Sequence, residues 1–275
     1  APAMTLSDTA YQKMRDMAIL MMRSLGSFSG GCNVQFAMNP EDEALIAIEI
    51  NPRVSRSSAL ASKATGYPIA KIAAKLAIGY NLNELKNPVT QTTSAYFEPV
   101  QDYVITKIPR WNFAKFPGAD TRLGLQMKSV GEVMGIGRSF NESLQNACQS
   151  LEIDRNGLEC LPAEMTNLND LKQALMEPRW NRIFYIKEAM ALGMTMKSIQ
   201  KLTKIDRWFL LQIQQLVKQE NEIRRYSINN IPREFLMELK RNGFSDIQIA
   251  KRLKSSEDEV YDRRRELGVI RKYKT

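Results

Sequence analysis

The hydrophobic pattern of this chain changes period once, near residue 151, and that change limits the folds open to it. Up to residue 150, short strand-like apolar runs lie between helical ones. Beyond it no period-2 alternation remains and helical spacing takes over. The 275 residues suit roughly two domains, at about 100–200 residues each. The expected fold is therefore α+β over residues 1–150, an antiparallel sheet with helices, followed by an all-α domain over residues 151–275.

Local signals fill in that outline. Ser7-Asp8 caps an expected helix from Thr9 to Leu25, ended by Gly26 and the Gly30-Gly31 pair. Strand-like runs follow at Asn33–Met38 and Ala44–Asn51, joined by the polar turn Asn39–Glu43, so a hairpin is expected. Two helical stretches come next, Ser57–Thr65 and Ile69–Ile78, broken by Gly66 and Pro68. Tyr103–Ile108 and Ser129–Gly135 read as strands, and Ser139 caps a helix to Leu151. The second region reads as helices at Asn181–Leu192, Met196–Leu202, Asp206–Asn221, Arg233–Asn242, Asp246–Leu253 and Ser256–Leu267. An echo recurs at a spacing of fifty residues. Gly193-Met194-Thr195 and Gly243-Phe244-Ser245 each set a glycine turn and an N-cap before a short amphipathic helix.

Composition narrows the chemistry. Hydrophobic residues make up 44% and charged residues 25%, as in an ordinary soluble globular protein. The net charge of +9 fits anionic ligands such as phosphates, but is spread too evenly to argue for nucleic acid. There is no histidine, which excludes Ser-His-Asp hydrolysis and His-containing zinc sites within the chain. The three cysteines, Cys32, Cys148 and Cys160, form no C-x-x-C pair, and a reducing cytoplasmic setting is expected. No apolar run approaches the ~20 residues of a membrane span, and no signal peptide is read. The start at Ala1-Pro2-Ala3, without an initiator Met, reads as part of a longer chain.

The hairpin and its exit carry the chemistry. Glu49 and Asn51 are two apart on one strand and leave it on the same face. With the turn centred near Asp42, Gln35 falls opposite Glu49. One carboxylate and two amide oxygens at a strand end suit a hard cation, Mg²⁺ or Mn²⁺, which also takes water and substrate phosphates. Arg53 and Arg56, just beyond, suit an oxyanion through charge-assisted hydrogen bonds. On spacing alone, the competing reading is a solvated polar face of an open sheet.

Residue identities extend this reading. Asn33-Val34-Gln35-Phe36-Ala37 and Ile48-Glu49-Ile50-Asn51-Pro52-Arg53 resemble the metal-binding strands of ATP-grasp ligases. The continuation Val54-Ser55-Arg56-Ser57-Ser58-Ala59-Leu60-Ala61-Ser62-Lys63-Ala64-Thr65-Gly66 resembles the first synthetase half of the carbamoyl phosphate synthetase large subunit. Phe97-Glu98-Pro99, Lys107-Ile108-Pro109-Arg110-Trp111 and Met127-Lys128-Ser129-Val130-Gly131-Glu132-Val133 are similar to later parts of that half. Ile205-Asp206-Arg207-Trp208-Phe209 resembles the helical oligomerisation domain that comes after it.

The resemblance implies that residues 1–150 are the C-terminal part of an ATP-grasp domain and residues 151–275 an oligomerisation domain. It implies that ATP phosphorylates bicarbonate. Ammonia delivered by a glutaminase subunit then converts the carboxyphosphate to carbamate, toward carbamoyl phosphate for pyrimidine and arginine synthesis. Carried over by residue, Gln35 and Glu49 contact metal and ATP, Asn51 completes the metal site, and Arg53 and Arg56 face the bicarbonate or carboxyphosphate. The glycine-rich lobe with the adenine contacts lies upstream in the family. The 275 residues alone are therefore expected to be an inactive catalytic fragment, joined to the rest of the large chain.

Two other segments carry competing readings. Ser129–Arg138 is glycine-rich but lacks the Gly-Lys-Ser/Thr ending of a phosphate loop, and reads as a strand and turn leading to the Ser139 cap. Gly243–Leu267 resembles a helix-turn-helix with the basic run Arg263-Arg264-Arg265. The alternative function is thus an ATP-grasp-derived scaffold with a nucleic-acid-binding module. Glu257, Asp258, Glu259 and Asp262 on the same helix would repel phosphates and favour a solvated face. The run Trp208, Phe209, Leu211, Ile213 and Leu216 is too broad for one face and implies a buried helix or a homo-oligomer contact.

Overall fold

A computed structural model of the chain describes residues 1–26, 28–160 and 168–273. It divides into two compact units, Ala1–Asp102 and Tyr103–Thr275. The first holds helix α1 (Asp8–Ser24), strands β1 (Asn33–Met38) and β2 (Leu45–Asn51), and helices α2 (Arg56–Thr65) and α3 (Ile69–Ala77). The second begins with strands β3 (Val104–Arg110) and β4 (Gly131–Gly137) and continues as helices. These are α4 (Phe140–Ser150), α5 (Leu168–Met176), α6 (Arg182–Ala191), α7 (Met196–Thr203), α8 (Arg207–Ile223), α9 (Arg233–Arg241), α10 (Asp246–Leu253) and α11 (Glu257–Glu266). The α+β class followed by helices is the one the periodicity implies.

In the first unit, Ser7 caps α1 by accepting from the Ala10 N–H. β1 and β2 form a two-stranded antiparallel ladder. The unit's core is small: Ile72, Leu85 and Ala95, with Tyr67 and Leu76 against them. Ile46 and Ile48 of β2 stay in solvent, at 64% and 61% exposure, so this unit leaves large apolar groups uncovered.

In the second unit, β3 and β4 pair antiparallel and α4 lies against them. The close approach explains the glycines of the Ser129–Arg138 segment. A Cβ on Gly135 would sit 2.2 Å from the Ser143 carbonyl oxygen and 2.4 Å from the Ala147 nitrogen. Gly137 would meet the Ser143 nitrogen at 2.6 Å. These glycines let a helix backbone seat on a strand, and Ser139 caps α4 by accepting from the Glu142 N–H. Leu144, Cys148 and Leu151 join one continuous core with residues of α5 to α11, and Ile108, Val133 and Phe140 pack against it. The division into compact units at 102/103 therefore differs from the patterning boundary at 150/151. The second hairpin and α4 bury their apolar faces among the later helices.

The fifty-residue echo is a repeated helix–turn–helix–turn–helix unit. Tyr185, Ile186, Ala189 and Ile199 are buried, as are Phe235, Leu236, Leu239 and Ile249 fifty residues later. Gly193 and Gly243 turn the chain at φ 85° and 83°, and Lys204 and Lys254 turn it again at 59° and 57°. Helix α5 was not among the sequence expectations. Its signal is Leu171, Ala174 and Leu175, all buried at helical spacing.

Replacing Gly135 by Ala is expected to destabilise the second unit by about 3 kcal/mol or more, because the new methyl collides with backbone that has no rotamer to yield. Denaturant unfolding of the chain followed by tryptophan fluorescence checks this; an unchanged midpoint would contradict the account of the β4–α4 contact.

Candidate functional site

The site is built by the β1–β2 register. Gln35 pairs with Glu49 and Asn33 with Asn51, so the spacing argument holds in the ladder. The register shifts between Gln35 and Phe36, whose partner is Ala47, leaving Ile48 as the extra residue. This bulge bends the strand and re-aims the residues beyond it. Gln35 and Glu49 are exposed and Asn51 is half-buried. The Asn51 side-chain amide donates to the Glu49 carboxylate. Gln35 Nε2 donates to Asn33 Oδ1 at 3.4 Å. Asn33 is therefore a fourth polar group on this face. It lies two residues before Gln35 on β1 and so shares its face by spacing, and the cross-strand register sets it opposite Asn51.

Beyond Asn51 the chain turns sharply, with the Arg53 N–H donating to the Asn51 carbonyl at 2.8 Å. Ser55 then opens α2, its N–H bonded to Ser58 Oγ at 3.2 Å. Arg53 and Arg56 are exposed, and neither forms an ion pair among the described residues. Arg56 occupies the first position of α2, whose first turn holds no acidic residue. A cation there opposes the positive end of the helix dipole, so the helix gains nothing from it. Two guanidiniums without ion pairs among the described residues, three apart in sequence at the start of a helix, suit an anion.

The donor set fits a hard cation. It is all oxygen-capable, with one carboxylate and two or three amides, and the amides can present either atom. Among the described residues, no group of three or more His, Cys, Asp or Glu side chains is placed to hold a metal. A single carboxylate suits a cation that shares its shell with phosphate. The cysteines offer no nucleophile: burial pushes the Cys148 thiol up to about 12 and that of Cys160 to about 11. In the second unit a cleft of about 530 Å³ is lined by Arg155, Lys251 and Arg252, among others. Its lysine is bound to Glu159 and Arg252 to Glu220, so those cations are already matched.

Two family models match. Residues 1–85 match the carbamoyl-phosphate synthase L chain ATP binding domain, and residues 132–268 the carbamoyl-phosphate synthetase large chain oligomerisation domain. The carbamoyl phosphate synthase large chain of a Nostoc species is 52% identical over the whole of this chain, which covers 25% of that relative. The large chain of Archaeoglobus fulgidus is 51% identical, again over the whole chain and 26% of the relative. The large chain N-terminal section of Aquifex aeolicus is 51% identical, and this chain covers 49% of it. These define an ATP-binding region followed by an oligomerisation domain. The chain belongs to the carbamoyl phosphate synthetase large-chain family and spans about a quarter of the length of its full-length relatives.

If Arg56 serves a ligand rather than the helix, Arg56→Glu is expected to stabilise the first unit by about 0.5 kcal/mol at low salt. Hydrogen exchange across α2 reads this; a loss of protection would show that Arg56 supports the fold.

Proposed function

We propose that residues 35–56 supply the metal and oxyanion face of a site that forms carboxyphosphate from ATP and bicarbonate. The observation that carries this is the Gln35–Glu49 register with Asn51 beside it and two arginines, without ion pairs among the described residues, at the start of α2. Glu49, Gln35 and Asn51 would hold Mg²⁺ or Mn²⁺, which when bound neutralises charge on the phosphate oxygens of ATP. Arg53 and Arg56 orient bicarbonate so that one of its oxygens attacks the γ-phosphorus and ADP leaves. They then hold the dianionic end of carboxyphosphate while ammonia attacks its carbonyl carbon, phosphate leaves and carbamate remains. A glutaminase subunit or domain would supply the ammonia. None of these steps needs a histidine. The adenine contacts would come from the rest of the large chain.

We further propose that residues 151–275 assemble with a second copy, and that the chain works without nucleic acid. Trp208 packs edge-on and Phe209 at a tilt against Phe140, at 5.3 and 5.4 Å, and both stay half-buried, while Leu211 is 41% exposed. Phe235 lies in the core. The basic run of α11 is engaged within the unit. Arg264 binds Asp246 through two nitrogens, Arg263 binds Glu266 and the Asn229 carbonyl, and Arg265 lies over Tyr261. That leaves little free charge for phosphates and disfavours the helix-turn-helix alternative. No described helix is long and apolar enough to cross a membrane. Three free thiols suit a reducing cytoplasm.

In a complete large chain, Glu49→Gln is expected to lower bicarbonate-dependent ATP hydrolysis by roughly two orders of magnitude with an unchanged circular dichroism spectrum. Arg53→Ala should raise the KM for bicarbonate about tenfold, the worth of a charge-assisted hydrogen bond. Near-normal hydrolysis by the Glu49 variant would remove the assignment.

Light scattering over a dilution series should show the 275-residue chain associating. A strict monomer at high concentration, or duplex binding that weakens steeply with salt, would count against this reading.

A further inference from the structure

We infer that Gly31 is a positioning residue for the arginine pair, acting through Val54. This rests on the reading of Arg53 and Arg56 as the groups that hold bicarbonate. Gly31 lies just before β1, lodged between the segment after β2 and helix α3. A Cβ built on it would stand 3.2 Å from Val54 Cγ2, but at ordinary contact distance, 3.6 and 3.7 Å, from Ile69 and Ala73 of α3. The α3 side therefore accepts a methyl group and only Val54 must give. Unlike Gly30, whose φ is +123°, Gly31 has a backbone that an L-residue can adopt. What selects glycine here is the space taken by Val54.

Val54 sits between the two arginines in the chain. The segment that carries it is anchored at both ends, by the Arg53 N–H on the Asn51 carbonyl at 2.8 Å and by the Ser55 N–H on Ser58 Oγ at 3.2 Å. Val54 is 42% exposed, so its side chain can take part of a push of a few tenths of an ångström by rotation. The remainder passes along the chain to Arg53 and to the start of α2, where Arg56 lies. Misplacement by about 1 Å costs on the order of a hundredfold, so a few tenths should cost about fivefold. The metal face, held by the ladder on the other side of Pro52, should feel it little.

The test is a double-mutant cycle in the complete large chain, reading bicarbonate-dependent ATP hydrolysis. Gly31→Ala should raise the KM for bicarbonate about fivefold, with the KM for ATP moved less than about twofold. Val54→Ala, which leaves a gap behind the segment, should also raise it. The double variant Gly31→Ala/Val54→Ala, in which the new methyl fills that gap, should return to within about twofold of the parent. If Gly31→Ala is insoluble, Val54→Ala and the double variant decide the matter by themselves. A double variant no better than its worse single, or an unaltered bicarbonate KM in a soluble Gly31→Ala enzyme, overturns the inference. An unchanged bicarbonate KM in Arg53→Ala would instead overturn the reading beneath it, so the two failures are distinct.

Discussion

A lysine with 1% exposure sets which helices of the second unit adjoin. Lys187 of α6 pairs with Glu220 of α8 and donates to the Leu158 carbonyl at 2.5 Å; Glu220 also accepts from Arg252 of α10 at 2.6 Å. A buried ammonium is tolerated only with a counter-charge and filled hydrogen bonds. The network therefore fixes which helices adjoin: α6, α8, α10 and the turn at Leu158 must meet at one point. Replacing it by apolar residues of similar volume could be neutral for stability, whereas leaving one charge alone would not be. Gln145 works beside it, accepting from the Leu158 N–H at 2.6 Å and so fastening α4 to the same turn.

The arginines of the candidate site differ from the paired cations elsewhere, which include Arg15 with Glu98 in the same unit. In the helical unit several cations near the core have an acid to bind: Lys240 and Arg264 share Asp246, and Arg252 has Glu220. In the first unit Arg53 and Arg56 have no acidic partner among the described residues, at a helix start that gains nothing from them. Local structure that works against its own stability is where a ligand is expected. The same unit exposes Ile46 and Ile48 over a small core. Its surface is thus shaped less by the needs of its own folding than the helical unit is.

The fifty-residue repeat explains why the helical unit can carry one core without any sheet among its later described elements. Each copy presents the same buried positions, Ile186 and Ile199 in one, Leu236 and Ile249 in the other. Each ends its first helix on a glycine and its second on a lysine, both at positive φ. Copies diverge where they meet solvent. α8 runs seventeen residues and buries Leu210, Ile213 and Leu216, whereas α11 runs ten and buries only Val260.

Residue order alone determined the helices other than α5, the caps at Ser7, Ser139, Thr195 and Ser245, and the first hairpin, because these depend on spacing and on neighbours three or four residues away. Gln35 opposite Glu49 was readable for the same reason: pairing across a short turn is nearly local. The tertiary structure decided the features that depend on distant chain. It seated β3, β4 and α4 with the later helices, and turned the glycines of β4 into a backbone contact surface. It placed Phe235 in the core and engaged Arg263 with Asn229 and Arg264 with Asp246. It set Val54 against Gly31 and put a bulge after Gln35, since a bulge and a packing contact leave no periodic mark in the sequence.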